Sequence, residues 1–579
     1  MQTPVCAEIN EEPHPSSPAR PTTNSPTAAS LFVPSRWYQF SGADVVFVLV
    51  ALIVFHTAQQ GLLDDPGLGW HLRNIDAMLA KGGWLTVDPF SEPRGGQSQP
   101  WFSNQWLGEI PFWLGERWAG LEGIAAVASL LIAFTMRCLY QMLLRDGSPW
   151  PVATFWISQA AMGVSCSWVA RPNLFTVLFV LLTARVCVLF HEGRCSRRQT
   201  LWLLPLFALW ANMHGGFLAG FTILAATLLI ECSLTVFAVS AEGRQNARSR
   251  AGHLTLLLGG AFLATLLNPY GPSLYRWVFQ LLGEPFFMDL HQEWKSPDFH
   301  GKGAIRFEVL MLLFPLLLAL SKRRPHLVEL GLPVLWFHFA LTGFRYVPLW
   351  VVVAVPLLAR ASLQVPWLRQ QARRLVPTEE GRRSFFVPPS CSPWLFSVLG
   401  ALALLGLARA AEGRFARHQP EIIPAKALDR FLQIQTQWSR QHGRRPVVFH
   451  SYDWGGYLTW HADAGFRNWI DDRNEVQGKE YIEDYFAILR TDPGWREKLD
   501  RAGVQLICIQ TNAPLTFRLS ESPDWHERYR DEWAVLFERV AAPAIPPENA
   551  FHAFSAQIPS PLGFAHCSPL AFPLDSPAR

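Results

Sequence analysis

The sequence predicts a polytopic α-helical membrane protein, with about eleven transmembrane helices and a soluble α/β domain at the C-terminal end. Three observations carry this. Half of the 579 residues are hydrophobic and only 17% are charged, where a soluble chain carries about 25%. Apolar runs of spanning length recur between residues 42 and 411, separated by short charged or Gly/Pro-containing loops. Lys and Arg gather in alternate loops, as they do when those loops stay in the cytoplasm. The 40 Phe and 25 Trp suit lipid-facing and interfacial surface, and mean hydropathy is +0.13. Length alone would allow about four soluble domains at roughly 150 residues each; this composition excludes them. A net charge of +4 is too small to argue for nucleic acid. Nine cysteines without a CxxC pair give no zinc ribbon or redox motif.

Residues 1–41 are rich in Pro, Ser and Thr and read as a disordered cytoplasmic tail. Spans are expected near 43–59, 121–143, 150–167, 173–190, 200–213, 216–239, 253–268, 305–321, 327–343, 346–362 and 393–410. The fifth is short enough to merge with the sixth as a hairpin or re-entrant pair. Arg145, then Arg194, Arg197 and Arg198, then Arg244, Arg248 and Arg250 mark successive cytoplasmic loops. Lys322, Arg323 and Arg324 follow, then Arg360, Arg369, Arg373, Arg374, Arg382 and Arg383. The N-terminus is therefore expected inside and the C-terminal domain outside an inner (plasma) membrane. That domain, 412–545, should hold a helix after Pro424, strands in PVVFHSY, VQLICIQ and AVLFERV, and helices in YIEDYFAILR and WREKLDRAG. Gly455-Gly456 allows a tight turn after the first strand. Residues 546–579 are again Pro-rich and expected to be loose. Cys508 and Cys567 would share the oxidising side, although Cys508 reads as a buried strand residue.

This topology puts the unusual polar motifs on one face. The first outside loop, about 60–120, carries LLDDPGLGWHLR, TVDPFS and WFSNQWLGE. ARPN brings Arg171, WANMHGGF brings Asn212 and His214, LLNPYG precedes HQEWKSPDF with Glu293, and Arg345 lies between spans nine and ten. Polar groups at membrane depth are costly and face a cavity or each other. Simpler readings stand beside this one. Asp88-Pro89 and Asn268-Pro269 are ordinary turn dipeptides, Trp70, Trp101 and Trp106 suit interfacial anchors, and Asn212 and His214 suit interhelical hydrogen bonds. Arg171 and Arg345 lie where the positive-inside rule does not ask for them. Two guanidinium groups beside an acidic loop fit a phosphate or pyrophosphate.

The ordered motifs resemble those of a group of uncharacterised bacterial membrane proteins, whose pattern runs DPDLWWHL, TDPFS, W..HEWLAE, ARPHLF, WANLHGGF, LLNPYG, EWQSPDF and SYDWGGYL…IDGR. Here they read DDPGLGWHLR, TVDPFS, WFSNQWLGE, ARPNLF, WANMHGGF, LLNPYG, EWKSPDF, SYDWGGYL and WIDDR. The group's second acid in the first motif falls on Gly67, and the following tryptophan on Gly69. The overall plan resembles GT-C-type glycosyltransferases, which implies transfer of a sugar from a polyprenyl-phosphate-type carrier to a cell-envelope acceptor. An inactive carrier-binding scaffold of the same plan and a transporter or flippase are the alternatives. The resemblance implies Asp65 or Asp88 as the catalytic base. It implies His71, Arg73, Glu109, Arg171, Asn212, His214, Glu293 and Arg345 as substrate-binding residues, with membrane lipids, the lipid-linked sugar and its acceptor as partners. A metal is not specified; Mg²⁺ or Mn²⁺ would suit carboxylates. YDWGGY is faintly similar to an acceptor-binding motif of oligosaccharyltransferases, but Trp454 and Tyr457 read better as packing residues. Reporter fusions after Arg198, Glu293 and Arg440 should read cytoplasmic, outside and outside. A cytoplasmic signal at Arg440 would overturn the topology.

Overall fold

In the computed structural model, residues 41–94, 97–301, 303–375, 394–415, 425–462 and 466–540 are described. The tails 1–40 and 546–579, Arg382, Arg383, Pro424 and Cys567 lie outside the described residues. Helices fall on the expected apolar segments, from Gly42–His56 to Leu395–Ala410. Four are long and apolar enough to cross a membrane, Trp106–Arg145, Asn173–His191, Phe217–Phe237 and Phe344–Ser362, while Gly42–His56, Leu327–Thr342 and Leu395–Ala410 are shorter apolar helices. The structure thus supports spanning helices without fixing a count of eleven. Their outer faces expose Leu49, Ile53, Leu229, Leu256, Leu312 and Leu402, apolar surface that suits lipid.

Two boundaries differ from expectation for local reasons. The second span is the latter part of Trp106–Arg145, whose axis breaks where Gly120 takes φ 58° and ψ −139°, a conformation open to glycine. WFSNQWLGE therefore runs into a helix. The fifth and sixth expected spans are two separate helices, Leu203–Met213 and Phe217–Phe237, parted at His214. The next helix starts at Ala241, not near 253, capped by Ser240 Oγ, which accepts from Gly243 N. Arg244, Arg248 and Arg250 thus ride on a helix, and Arg250 Nε reaches Glu231 at 2.8 Å.

One end of the bundle is tied by ion pairs. Asp146 takes Arg185 at 2.5 Å and Arg360 at 2.6 Å, and Arg360 also reaches Glu192 and Glu329 at 2.9 and 2.8 Å. At the ends that lie away from the network, Arg171 precedes Asn173–His191 and Arg345 precedes Val347–Ser362.

The C-terminal domain has a four-stranded sheet of β1 (Val447–His450), β2 (Val504–Gln510), β3 (Trp525–Arg530) and β4 (Ala534–Arg539). Its order is β1-β2-β4-β3, with β1 parallel to β2 and the other pairs antiparallel. Helices Ala425–His442, Lys479–Leu489 and Trp495–Arg501 pack around it. β3 was not expected, because WHERYR is an edge strand with little buried side-chain surface. The loop after the first helix docks on this domain. Its helix Leu68–Lys81 lies against Gly455–His461, Ser91 bridges Asn468, and Arg445 grips Glu92 through two bonds of 2.6 and 2.7 Å. Gly455 and Gly456 open a helix and do not make a tight turn. A Cβ on Gly456 would lie 2.1 Å from Pro66 O, and one on Gly69 would lie 2.0 Å from Gly456 O. Trp454 is fully buried in the domain core.

Gly69→Ala and Gly456→Ala should each cost about 1–3 kcal/mol by forcing two backbones apart. Gly83→Ala, with open space around it, should stay within about 0.5 kcal/mol. Thermal unfolding of the three variants in detergent checks the contrast, and equal melting would contradict the docking.

Candidate functional site

A cavity of about 520 Å³ opens between the bundle and the C-terminal domain. His71, Arg171, His214, Glu293 and Arg345 line its polar part together with Asp472. Val177, Leu218, Ala219, Leu281, Leu282 and Phe339 form an apolar wall.

Arg171 stands just before Asn173–His191, and Arg345 just before Val347–Ser362. Both converge on one carboxylate: Glu293 Oε1 lies 3.4 Å from Arg171 Nη2 and 3.5 Å from Arg345 Nη1. Burial alone would raise the Glu293 carboxyl, but the two guanidinium groups outweigh it and hold it down at about 2. Arg345 also lies 3.8 Å over the Trp294 ring. Arg171 turns its other nitrogen to Asp65 Oδ1 at 3.4 Å. Burial would lower the Arg171 guanidinium, but Asp65 and Glu293 raise it overall. Asp65 is buried, its Oδ1 accepts from Gly67 N at 3.2 Å, and its Oδ2 has no hydrogen-bond partner among the described residues.

His214 sits in the turn between two helices, where Nδ1 accepts from Gly216 N at 3.0 Å and meets Thr176 Oγ1 at 2.9 Å. That leaves the proton of a neutral ring on Nε2. Burial, then Arg345 and Arg171, lower it to about 3, so the ring is neutral at pH 7. His71 Nδ1 meets Glu109 Oε1 at 2.6 Å, both buried, and Asn74 also donates to Glu109.

Asp65 and Glu109 are buried behind the cavity lining, and the remaining expected residues lie elsewhere. Asn212 accepts from Trp106 Nε1 at 3.1 Å and donates to Ala208 O and Leu267 O, stitching helices together. Arg73 reaches Thr459 O and Asp76 at 3.4 Å, outside the cavity lining. Asp88 does not fold over the cavity: it is buried against Arg473, with Nη1 to Oδ1 at 2.7 Å. Trp70 and Trp101 are buried and are not interfacial anchors. Burial would raise the Asp88 carboxyl; Arg473 and donors from Ser91 and Phe90 hold it below the ordinary range.

Residues of the WIDDR motif were not expected in the site. Arg473 binds Asp88 and Asp471, and Asp472 accepts from Trp70 Nε1 at 2.7 Å at the cavity edge. Their signal in the sequence was the motif itself, whose partners lie in another region of the chain. Among the described residues no group of three His, Cys, Asp or Glu side chains gathers to hold a metal. Asp65 and Asp472 alone do not make a full ligand set, so no chemical step here is assigned to Mg²⁺ or Mn²⁺.

Neither a protein-family model nor a curated protein matches the chain. Among solved structures, ArnT from Cupriavidus metallidurans bound to undecaprenyl phosphate is 15% identical, with 87% of this chain and 99% of that one covered and a TM-score of 0.47. The archaeal oligosaccharyltransferase AglB from Archaeoglobus fulgidus, in complex with an inhibitory peptide and a dolichol-phosphate, is 11% identical over 81% of this chain and 69% of that one, at 0.49. The arabinofuranosyltransferase AftD from Mycobacteria is 13% identical over 86% of this chain and 40% of that one, at 0.46. All three scores fall below one half, and the functional reading stands on the site's own residues.

Asp88→Asn should lower stability by about 3–5 kcal/mol at neutral pH, because it strips one carboxylate from a buried guanidinium. The folded carboxyl is held below 3.8, so its contribution is present above that value and lost as pH falls through the folded one. Denaturant unfolding at pH 7 and pH 3 should show the wild-type advantage shrinking in acid. An unchanged advantage would contradict the pairing.

Proposed function

We propose that the chain transfers a sugar from a polyprenyl-phosphate-type carrier to an acceptor on the outer side of an inner membrane. The observation that carries this reading is the head of the cavity. Two arginines share one internal carboxylate beside an apolar wall, a combination that suits a phosphate with a hydrocarbon tail. The carrier phosphate takes the place of the Glu293 carboxylate against Arg171 and Arg345. The bond between the anomeric carbon and the phosphate oxygen breaks, its electron pair leaves on the phosphate, and both guanidinium groups stabilise that charge. The acceptor oxygen bonds to the same carbon and gives its proton to Asp65, whose Oδ2 is free of hydrogen bonds among the described residues. His214, neutral at pH 7, supplies a donor from Nε2 without adding charge.

Asp65→Asn should lower transfer about 10²–10⁴-fold while binding of a polyprenyl phosphate persists. Arg171→Ala and Arg345→Ala should weaken that binding. Purified full-length protein, a lipid-linked sugar panel and a polyprenyl phosphate binding assay provide the measurements. Binding without transfer by the wild type would favour the carrier-binding scaffold. Neither binding nor transfer would sink the reading, and movement of the lipid across vesicles without transfer would point to a flippase.

A further inference from the structure

Gly67 immediately precedes the helix Leu68–Lys81, two residues after Asp65. A Cβ at this position would lie 2.7 Å from Asp472 Oδ2 and 3.2 Å from Oδ1. The carboxylate of Asp472 therefore fills the space that a side chain at 67 would occupy. It is fixed there by Trp70, from the same helix, whose indole donates to Oδ1 at 2.7 Å across 402 residues of sequence. Gly67 N donates to Asp65 Oδ1, so one short turn of backbone holds Asp65 on one side and Asp472 on the other.

The two acids are treated differently. Asp65 has Arg171 as a counter-ion. Asp472 has no Lys or Arg ion pair among the described residues, since neighbouring Arg473 is committed to Asp88 and Asp471. The groups around Asp472 are mostly acidic or neutral: Asp65 from the first loop, Asp471 and Glu475 from its own segment, and Tyr452 and Asp453 from the turn after β1, with Arg171 the cation that reaches it. Across the cavity stand His71, His291, Glu293 and Arg345.

We infer that Asp472 is the second acid of the site: the C-terminal domain seats its carboxyl in the room left by Gly67, on the turn whose backbone also holds Asp65, and Asp472 stays protonated beside the Asp65–Arg171 pair. The inference rests on the carrier-phosphate reading for its consequence, not for its geometry. Burial, then Asp65 and Asp471, push the Asp472 carboxyl up from its ordinary value, and like charges in one pocket do not both ionise readily. With Asp472 protonated, the one negative charge of Asp65 faces Arg171 and an anionic carrier meets a net favourable head. Loss of that proton adds a second negative charge and opposes the carrier. Asp472 is thus a positioning residue that sets the charge around Asp65.

Two measurements on the full chain in detergent test this. Infrared titration between pH 5 and pH 9 should show a protonated carboxyl band that disappears as pH rises through neutrality. This band should survive in part in Glu475→Gln, because Glu475 is also pushed up, to about 7, and be reduced in Asp472→Asn. Binding of polyprenyl monophosphate in mixed micelles should weaken about tenfold more over that range in the wild type than in Asp472→Asn, the effect of one unit of proton coupling. Asparagine keeps the acceptor for Trp70. If that variant nevertheless fails to fold, Gly67→Asp combined with Asp472→Gly returns the carboxyl from the other backbone and should restore the wild-type pH dependence. A band unchanged by Asp472→Asn would overturn the inference. A band that follows Asp472 in a protein that never binds the lipid would leave the acid pair standing and remove the carrier reading instead.

Discussion

Arg473 is buried without exposure, and its guanidinium is shared by Asp88 at 2.7 Å and Asp471 at 2.6 Å. It also lies 4.8 Å over the Trp101 ring. Taking such an ion out of water costs several kcal/mol, and the cost is offset only with its partners in place. One of those partners belongs to the loop after the first helix, 385 residues away. Separating that loop from the C-terminal domain would leave both charges buried and uncompensated. The interlocked Gly69 and Gly456, the Trp70 bond to Asp472 and the position of Asp65 all depend on this contact. The domain that starts after the last apolar helix is therefore one wall of the site and not an appendage.

The cavity has a second organising constraint, the repulsion between Arg171 and Arg345. Glu293 lies between them and remains ionised because they hold its carboxyl at about 2. An internal anion of this kind keeps two cations aimed at one point before any ligand arrives, so little reorganisation is needed when a ligand takes its place. At the opposite end, the network around Asp146 and Arg360 fixes the helices that carry these arginines. Rigid ends on one side make a shaped opening on the other.

Much of this was legible in the sequence. Hydropathy found the apolar helices because burial in lipid leaves a continuous apolar run. It missed the start at Ala241 because a basic segment can extend a helix beyond the membrane. It missed β3 because an exposed edge strand has no strong alternation. Arg171 and Arg345 stood out because both lie where the positive-inside rule does not ask for a basic residue, whereas His214, which also suits an interhelical hydrogen bond, and Glu293 came only with their motifs. Asp88 looked like a catalytic acid because sequence shows a carboxylate but not its partner, Arg473. Gly67 and Asp472 are the sharper case. Nothing in the sequence links a glycine at 67 to an acid at 472; in space the Asp472 carboxylate fills the room that a side chain on Gly67 would need.

The same separation has a temporal side. Ribosomes add about 5–20 residues per second, so roughly 20–80 s pass between the synthesis of Asp88 and that of Arg473. During that interval the first loop has its acids in water and no surface to close upon. A nascent chain interrupted before residue 473 would carry the arginines and Asp65 but neither the docking contact nor a closed cavity. The segment made later is the one that closes the cavity.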